Sequence, residues 1–277
     1  MELTRPTIEK IKNKRILVVS FSATTPYLEG SLDISRRLSI ENRISYAHFG
    51  NYVSRPTMYS NNIVKRKLQL PLRVNRAKRY LSKHRSNENS IEWLKTRGIV
   101  KEMNNIFNKF YRNNNFKKLK NIEELKQLTY DGFNVGIGVA STIITELTKN
   151  SDPFPLDKKE QHECLEQIYS SIKSIIFAKI ILASNDYDTI VLFNGRMSCE
   201  QAFKQVAFSK QIKIYFHERF NFNTRYFFEE YTPHDFLRRQ DELKQLRREL
   251  PKDTINRLGE NFFSRKVKGE GVYERSY

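Results

Sequence analysis

Two short apolar runs that end in polar residues constrain the fold of this chain more than any other feature. The runs Thr189–Phe193 and 212–216 are rich in β-branched and aromatic residues, and the segment between them, 198–210, has a helical pattern. A strand, a helix and a second strand in succession form a right-handed βαβ unit with parallel strands. The sequence therefore predicts a parallel sheet in this half of the chain.

A second unit of the same kind opens the chain. The continuous apolar run 14–23, "KRILVVSFSA", is typical of a strand that is buried on both faces. A helical pattern follows at 31–42, and the run 43–50 predicts another strand. Because strands and helices alternate, we expect an α/β fold, a Rossmann-like parallel sheet flanked by helices.

The remaining segments are interpreted within one domain that spans 1–277. Residues 51–120 are basic and rich in Asn, and we expect a basic helical insertion of helices joined by loops. A long helix is predicted over 158–183. The segment 225–231 is either a further strand or an extended loop. The C-terminal part, 236–277, is predicted to form helices, first a charged surface helix and then one more.

Charge and composition narrow the classes of partner. The net charge of +18 and the pI near 9.8 favour anionic partners, namely nucleic acid, an anionic lipid surface or a phosphorylated substrate. Neither Cys164 and Cys199 nor the five histidines fall at metal-ligand spacing, so no metal and no cofactor are expected. The sequence has no secretory signal and no apolar run near 20 residues, so we expect a cytoplasmic protein.

Polar residues follow both of the apolar runs described first. They are Asn194, Gly195 and Arg196 after the first run, and His217, Glu218 and Arg219 after the second. Ligands of parallel α/β sheets bind beyond the carboxyl ends of the strands, so these six residues are the candidate site. Either arginine would hold a phosphate or carboxylate with two hydrogen bonds.

A purely structural interpretation of the same residues is also open. Asn194 and Gly195 would then only make the turn into the next helix, with Ser198 as its N-cap, and Glu218 would pair with a nearby arginine. The alternation of side chains along a strand also limits which of these residues can lie together. If the strand continues through residue 219, His217 and Arg219 share one face and Glu218 points to the other.

Three further segments are candidates for function. His234 and Asp235 stand directly before a predicted helix, where Asp235 is a natural N-cap. The stretch 136–141, "GIGVAS", lacks the full phosphate-binding glycine pattern. The basic run 65–85 would suit an anionic membrane surface or a solvated helix face. Basic residues interleaved with aromatics would also suit single-stranded nucleic acid, but no recognisable nucleic-acid module supports that partner.

Five stretches in order resemble the N-terminal half of bacterial capsule and surface polysaccharide glycosyltransferases of the GT-B type. They read "ILVVSFSATTPYLEGSLDISRRL", "LTYDGFNVGIGVASTI", "YDTIVLFNGRMSCEQAF", "IYFHERF" and "TPHDFLRR". The resemblance covers most of the chain outside the insertion, and the Asn-Gly-Arg and His-Glu-Arg motifs are its most specific parts.

The resemblance implies a Rossmann-like acceptor-binding domain that faces a second domain carrying most of the nucleotide-sugar site. No sequence remains after Phe263 for a second sheet, so we expect a further domain or a partner chain to supply it. The partners implied are a nucleotide-sugar donor and a saccharide acceptor. Peripheral contact at the inner membrane surface is the expectation that the basic run 65–85 adds.

The hypothesis for the chemistry assigns the general base to Glu218, with His217 or Asp235 as alternates. The substrate-binding candidates are Asn194, Gly195, Arg196, Arg219 and His234. A competing hypothesis is a non-catalytic Rossmann-like domain that binds a polyanion through its basic surface.

Overall fold

The computed structural model describes residues 7–21, 27–49, 91–113, 119–147, 155–219 and 226–268, together with the isolated helical positions 72, 75, 76 and 79. Its centre is a six-stranded sheet with the strand order β3-β2-β1-β6-β7-β8. The bounds of these strands are β1 Arg15–Ser20, β2 Arg43–His48, β3 Ile91–Trp93, β6 Thr189–Phe193, β7 Lys213–Arg219 and β8 Tyr226–Glu229. A separate two-stranded antiparallel sheet consists of β4 Thr129–Tyr130 and β5 Phe133–Asn134.

Five strands of the main sheet are parallel, and β8 pairs antiparallel with β7 at one edge. This is the mixed α/β, Rossmann-like arrangement that the sequence predicts. β8 also decides between the two alternatives for 225–231, because Tyr226–Glu229 is a strand. β8 begins beside the carboxyl end of β7, where Tyr226 pairs with Arg219, and runs back along β7 until Glu229 lies opposite Phe216.

Helices cover both faces of the sheet. The described helices are α1 Tyr27–Leu38, α2 Arg97–Asn113, α3 Ile122–Lys126, α4 Gly136–Leu147, α5 Lys158–Ala183, α6 Ser198–Ser209, α7 Phe236–Glu249 and α8 Lys252–Val267. Residues of α1 share one apolar cluster with one face of the sheet, and residues of α2 to α6 share another with the opposite face. Strand β1 contributes to both clusters, with Leu17 on one side and Val18 on the other. Burial on both faces explains its uninterrupted apolar sequence.

The long helix α5 begins at a capping box, as its sequence "LDKKE" favours. Asp157 accepts a hydrogen bond from the backbone N–H of Glu160, and Glu160 accepts one from the backbone N–H of Asp157, at 2.8 and 2.9 Å. From there α5 runs for 26 residues and carries the chain back to β6, beside β1.

The segment 51–120 departs from the expectation of helices and loops alone. Ile91–Trp93 forms β3, an edge strand parallel to β2. Helix α2 is part of the core, since Met103 is fully buried and Phe107 nearly so. A three-residue strand surrounded by polar residues is too short for a periodic signal, which is why the sequence did not indicate it. The basic run 65–85 lies outside the described residues except for positions 72, 75, 76 and 79.

The stretch "GIGVAS" is the start of α4, and its glycines allow close packing. A Cβ at Gly136 would lie 1.7 Å from the carbonyl oxygen of Leu125, and one at Gly138 would lie 2.8 Å from Cβ of Gln201. The two glycines therefore let α4 approach α3 and α6, and this packing accounts for them without a bound phosphate. In the part of the chain that the structure describes, no helix is long and apolar enough to cross a bilayer.

Candidate functional site at the carboxyl ends of β6 and β7

The direction in which successive strands are added to the sheet reverses between β1 and β6. α1 follows β1 on one face, while α5 enters β6 and α6 leaves it on the other. In doubly wound sheets the loops diverge at such a point and open a crevice at the carboxyl ends of the strands. Residues 194–196 follow β6 at this edge of the sheet, and 217–219 are the last three residues of β7.

The turn after β6 depends on two residues with positive φ angles. Asn194 has a φ of 54° and Gly195 a φ of 75°. A Cβ at Gly195 would lie 2.4 Å from Cε1 of Phe216, so only glycine fits this turn without displacing its neighbours. The backbone N–H of Asn194 donates to the carbonyl oxygen of His217 at 2.9 Å, which ties the turn to β7.

The amide of Asn194 connects two other side chains. Its Oδ1 accepts a hydrogen bond from the backbone N–H of Arg196 at 3.1 Å, and this bond fixes the orientation of the amide. Its Nδ2 is therefore directed at Oε2 of Glu218, 3.0 Å away, and at Nε2 of His234, 2.9 Å away. Nε2 of His234 and Oε2 of Glu218 are themselves 3.4 Å apart. We call Asn194, Glu218 and His234 the amide cluster.

The hydrogen bonds of the amide cluster assign the proton of the imidazole. Asn194 Nδ2 is a donor, so Nε2 of His234 accepts and the ring proton lies on Nδ1. Asn194 is buried, whereas the side chains of Glu218 and His234 are 26% and 31% exposed. A buried amide thus holds the carboxylate of Glu218 and the imidazole of His234, both of them partly exposed.

Arg196 adds a cation next to the amide cluster. Its Nη2 donates to Oγ1 of Thr145 in α4 at 3.4 Å. Burial lowers the pKa of Arg196, and the charge of nearby Glu218 opposes that change. Its Nε is buried and has no hydrogen-bond partner among the described residues. A guanidinium with an unused donor beside a carboxylate is suited to an anionic or hydroxylated ligand.

His217 does not belong to the amide cluster. β7 continues through Arg219, so His217 and Glu218 point to opposite faces of the sheet. His217 is 1% exposed and lies on the α1 side, with Nε2 3.4 Å from Oγ of Ser31. Burial lowers the pKa of His217 from 6.5 to about 3, so this imidazole is neutral at physiological pH.

Two other predicted site residues, Asp235 and Arg219, lie at the ends of secondary-structure elements. Asp235 is the N-cap of α7, and its carboxylate accepts from the backbone N–H of Arg238 at 3.1 Å. This capping role is the structural alternative that the sequence left open for Asp235. Arg219 is the last residue of β7 and pairs with Tyr226 of β8. Its side chain lies outside the described part of the structure.

Two residues near the site were missed by the sequence analysis. Thr145 contacts Arg196 across 51 positions of the sequence, a pairing that no local pattern indicates. Glu200 is 1% exposed in the first turn of α6, and burial raises its pKa from 4.5 to about 7. The sequence signal for Glu200 was an acidic residue in α6, a helix whose other buried side chains are small or apolar.

Ser198 was predicted as the N-cap of α6 but is instead the first residue of the helix. The N-cap is Met197, which makes no side-chain cap, and the backbone N–H of Ser198 donates to Oγ1 of Thr142 at 2.9 Å. The hydroxyl of Ser198 donates to the side chain of Gln167 at 2.6 Å. Thr142 of the neighbouring helix α4 thus supplies an acceptor at the start of α6.

The amide cluster and the neighbouring Arg196 offer general acid–base chemistry and anion binding. Among the described residues, no group of three or more His, Cys, Asp or Glu side chains is placed to hold a metal ion. Carboxylate, imidazole and guanidinium groups within one small area are the usual equipment for proton transfer to or from a bound substrate.

Comparisons with known proteins add one structural similarity. No family model matches the sequence, and no curated protein matches it. Among solved structures, the chain is similar to that of a CDPS from Fluoribacter dumoffii, with 10% sequence identity and a TM-score of 0.42. The similarity covers 76% of this chain and 91% of that chain. Similarity at this level carries no argument about function.

Proposed function

We propose that this chain is a transferase that activates a hydroxyl acceptor at the amide cluster, with Glu218 as the general base. The observation that carries the proposal is the position of the Glu218 carboxylate, which is held by a buried amide at the carboxyl ends of β6 and β7 and remains partly exposed. The sequence motifs supply the substrate class, a saccharide acceptor and a nucleotide-sugar donor, as in glycosyltransferases of the GT-B type.

The contacts of Glu218 suit a base. Among the described residues, Asn194 donates to one carboxylate oxygen, Oε2, and we propose that Oε1 is aligned with the acceptor hydroxyl. As the acceptor oxygen forms its bond to the sugar carbon, the O–H bond breaks and the proton passes to Glu218. The bond between that sugar carbon and the donor phosphate breaks at the same time, and the nucleotide leaves with the electron pair.

The neighbours of Glu218 have supporting roles. His234, whose Nε2 is 3.4 Å from Oε2 of Glu218, would contact the bound acceptor beside the base. Arg196 is placed to bind negative charge of the acceptor or of the departing phosphate. The described residues contain one large sheet, so we propose that a further domain or a partner chain completes the donor side.

The test is turnover by the Glu218→Gln variant. Glutamine keeps an oxygen that accepts from Asn194 but does not take a proton, so we expect a loss of roughly 10²–10⁴-fold in rate with normal folding. The assay screens nucleotide-sugar donors with saccharide acceptors and follows release of the nucleotide. Glu249→Gln is the matched control, because Glu249 is exposed at the end of α7. Full activity of Glu218→Gln on a substrate that the native chain uses would refute the proposal.

The high positive charge favours a second candidate function, binding of a polyanion without catalysis. With a net charge of +18, such a domain would bind single-stranded RNA with an affinity that falls steeply as salt is raised. Titrations at two salt concentrations, with and without a nucleotide sugar, separate the two functions. Salt-sensitive binding with no donor turnover would favour the polyanion.

A further inference from the structure

Helix α7 is attached to the domain by polar side chains. Nη1 of Arg239 donates to the carbonyl oxygen of Pro233 at 3.0 Å, and the guanidinium of Arg238 lies 4.5 Å from the ring centroid of Tyr231. The hydroxyl of Tyr231 also donates to Glu242. Arg238, Arg239 and Glu242 of α7 thus contact the segment that precedes the helix, although Arg238 and Glu242 remain exposed.

The apolar side chains of α7 and α8 are exposed instead. Between 50% and 78% of each of the following side chains is accessible to solvent: Phe236, Leu237, Leu243, Leu258, Phe262 and Phe263. We call these six residues the outer apolar surface. α7 has no buried residue at all.

The outer apolar surface has the spacing of amphipathic helices. Phe236 and Leu243, seven residues apart, share one side of α7, and Leu258 and Phe262, four residues apart, share one side of α8. Apolar residues at this spacing are normally covered by another surface, because exposing them to water is unfavourable.

The charge of the same segment favours one kind of partner for the outer apolar surface. Residues 236–268 contain ten Lys or Arg and five Asp or Glu. A second copy of this segment would bring like net charges together. Helices that combine exposed Phe and Leu with an excess of Lys and Arg are typical of segments that lie in the interface of an anionic membrane.

We propose that α7 and α8 dock on an anionic lipid surface, with the outer apolar surface inserted between the headgroups and with basic side chains at the phosphates. α7 begins directly after His234, so docking would hold the amide cluster close to the membrane. The proposal does not depend on the transferase function, since binding is measured without turnover.

Vesicle sedimentation of the full chain tests the docking. One set of vesicles contains phosphatidylcholine alone, and the other also contains phosphatidylglycerol. The variant combines Phe262→Ser and Phe263→Ser and leaves every charge in place. The matched control combines Ile137→Ser and Phe208→Ser, two side chains of similar exposure at 51% and 52% on other helices. Circular dichroism checks the fold of each protein.

We expect binding to the anionic vesicles that falls by about tenfold or more in the Phe262/Phe263 variant and is unchanged in the control, because two aromatic rings are lost from the inserted surface. Equal binding by both variants would mean adsorption through net charge and would overturn the proposal. Absence of vesicle binding would also overturn it. A dimer in sedimentation velocity that only the Phe262/Phe263 variant loses, together with no vesicle binding, would assign the surface to a second copy.

Discussion

His217 and Glu218 are neighbours in β7, but they lie in opposite environments. Glu218 is partly exposed, accepts a hydrogen bond from Asn194 and lies within reach of His234. His217 is buried against α1, close to Ser31, and its pKa is lowered to about 3. Alternation along a strand is enough to separate the two side chains. Adjacent polar residues at a strand end are therefore not necessarily parts of one site.

The largest loss of stability should follow from placing a carboxylate at position 217. His217→Glu would place a carboxylate without a compensating cation in a nearly dry environment, so we expect a loss of roughly 3–5 kcal/mol in the free energy of unfolding. Glu218→His, on the partly exposed face, should cost less than about 1 kcal/mol. Urea denaturation at pH 8 measures both. Equal losses would mean that the two faces do not differ in this way.

The next largest loss of stability should come from a substitution in the turn that positions the amide cluster. Gly195→Ala adds a methyl group next to the Phe216 ring at a φ of 75°, so we expect a loss of about 2–4 kcal/mol in the free energy of unfolding. Gly132→Ala is the control for backbone strain alone, since Gly132 has a φ of 80° but no atom near its missing Cβ. Thermal denaturation compares them, and equal losses would show that contact with Phe216 is unimportant.

The dependence of the free energy of unfolding on pH should reflect the burial of His217. Folding lowers the pKa of His217, so between pH 6.5 and about 3 the unfolded chain binds more protons than the folded chain. The free energy of unfolding should therefore fall as pH falls below 6.5, by up to about 1.4 kcal/mol per pH unit from this residue. His217→Asn should lack this contribution. We would compare the two proteins in urea from pH 8 to pH 5, and parallel curves would contradict a buried neutral imidazole.

The parts of the fold that sequence analysis predicted are those that are buried on both sides. β1, β6 and β7 have continuous apolar runs because both of their faces contact helices. The helices α5 and α6 between such strands followed from their spacing. β3 was not predicted, because Ile91–Trp93 is short and stands at an edge.

The candidate site was predicted only in outline. The end of β6 was identified, but β7 continues beyond the predicted end at 216 through Arg219, and the partner of Glu218 was not identified. His234 lies in the segment that follows β8, and the sequence left open whether 225–231 is a strand or an extended loop. The contact between Arg196 and Thr145 depends on how closely α4 packs against α6, which no local pattern encodes.

The most direct test of the account compares Glu218→Gln with His217→Asn in one turnover assay, with native protein and the same donor and acceptor. The account predicts a loss of about 10²-fold or more for Glu218→Gln, and a rate for His217→Asn within about threefold of the native rate. Loss of turnover in His217→Asn with normal folding, and normal turnover in Glu218→Gln, would place the chemistry on the α1 face and contradict the account.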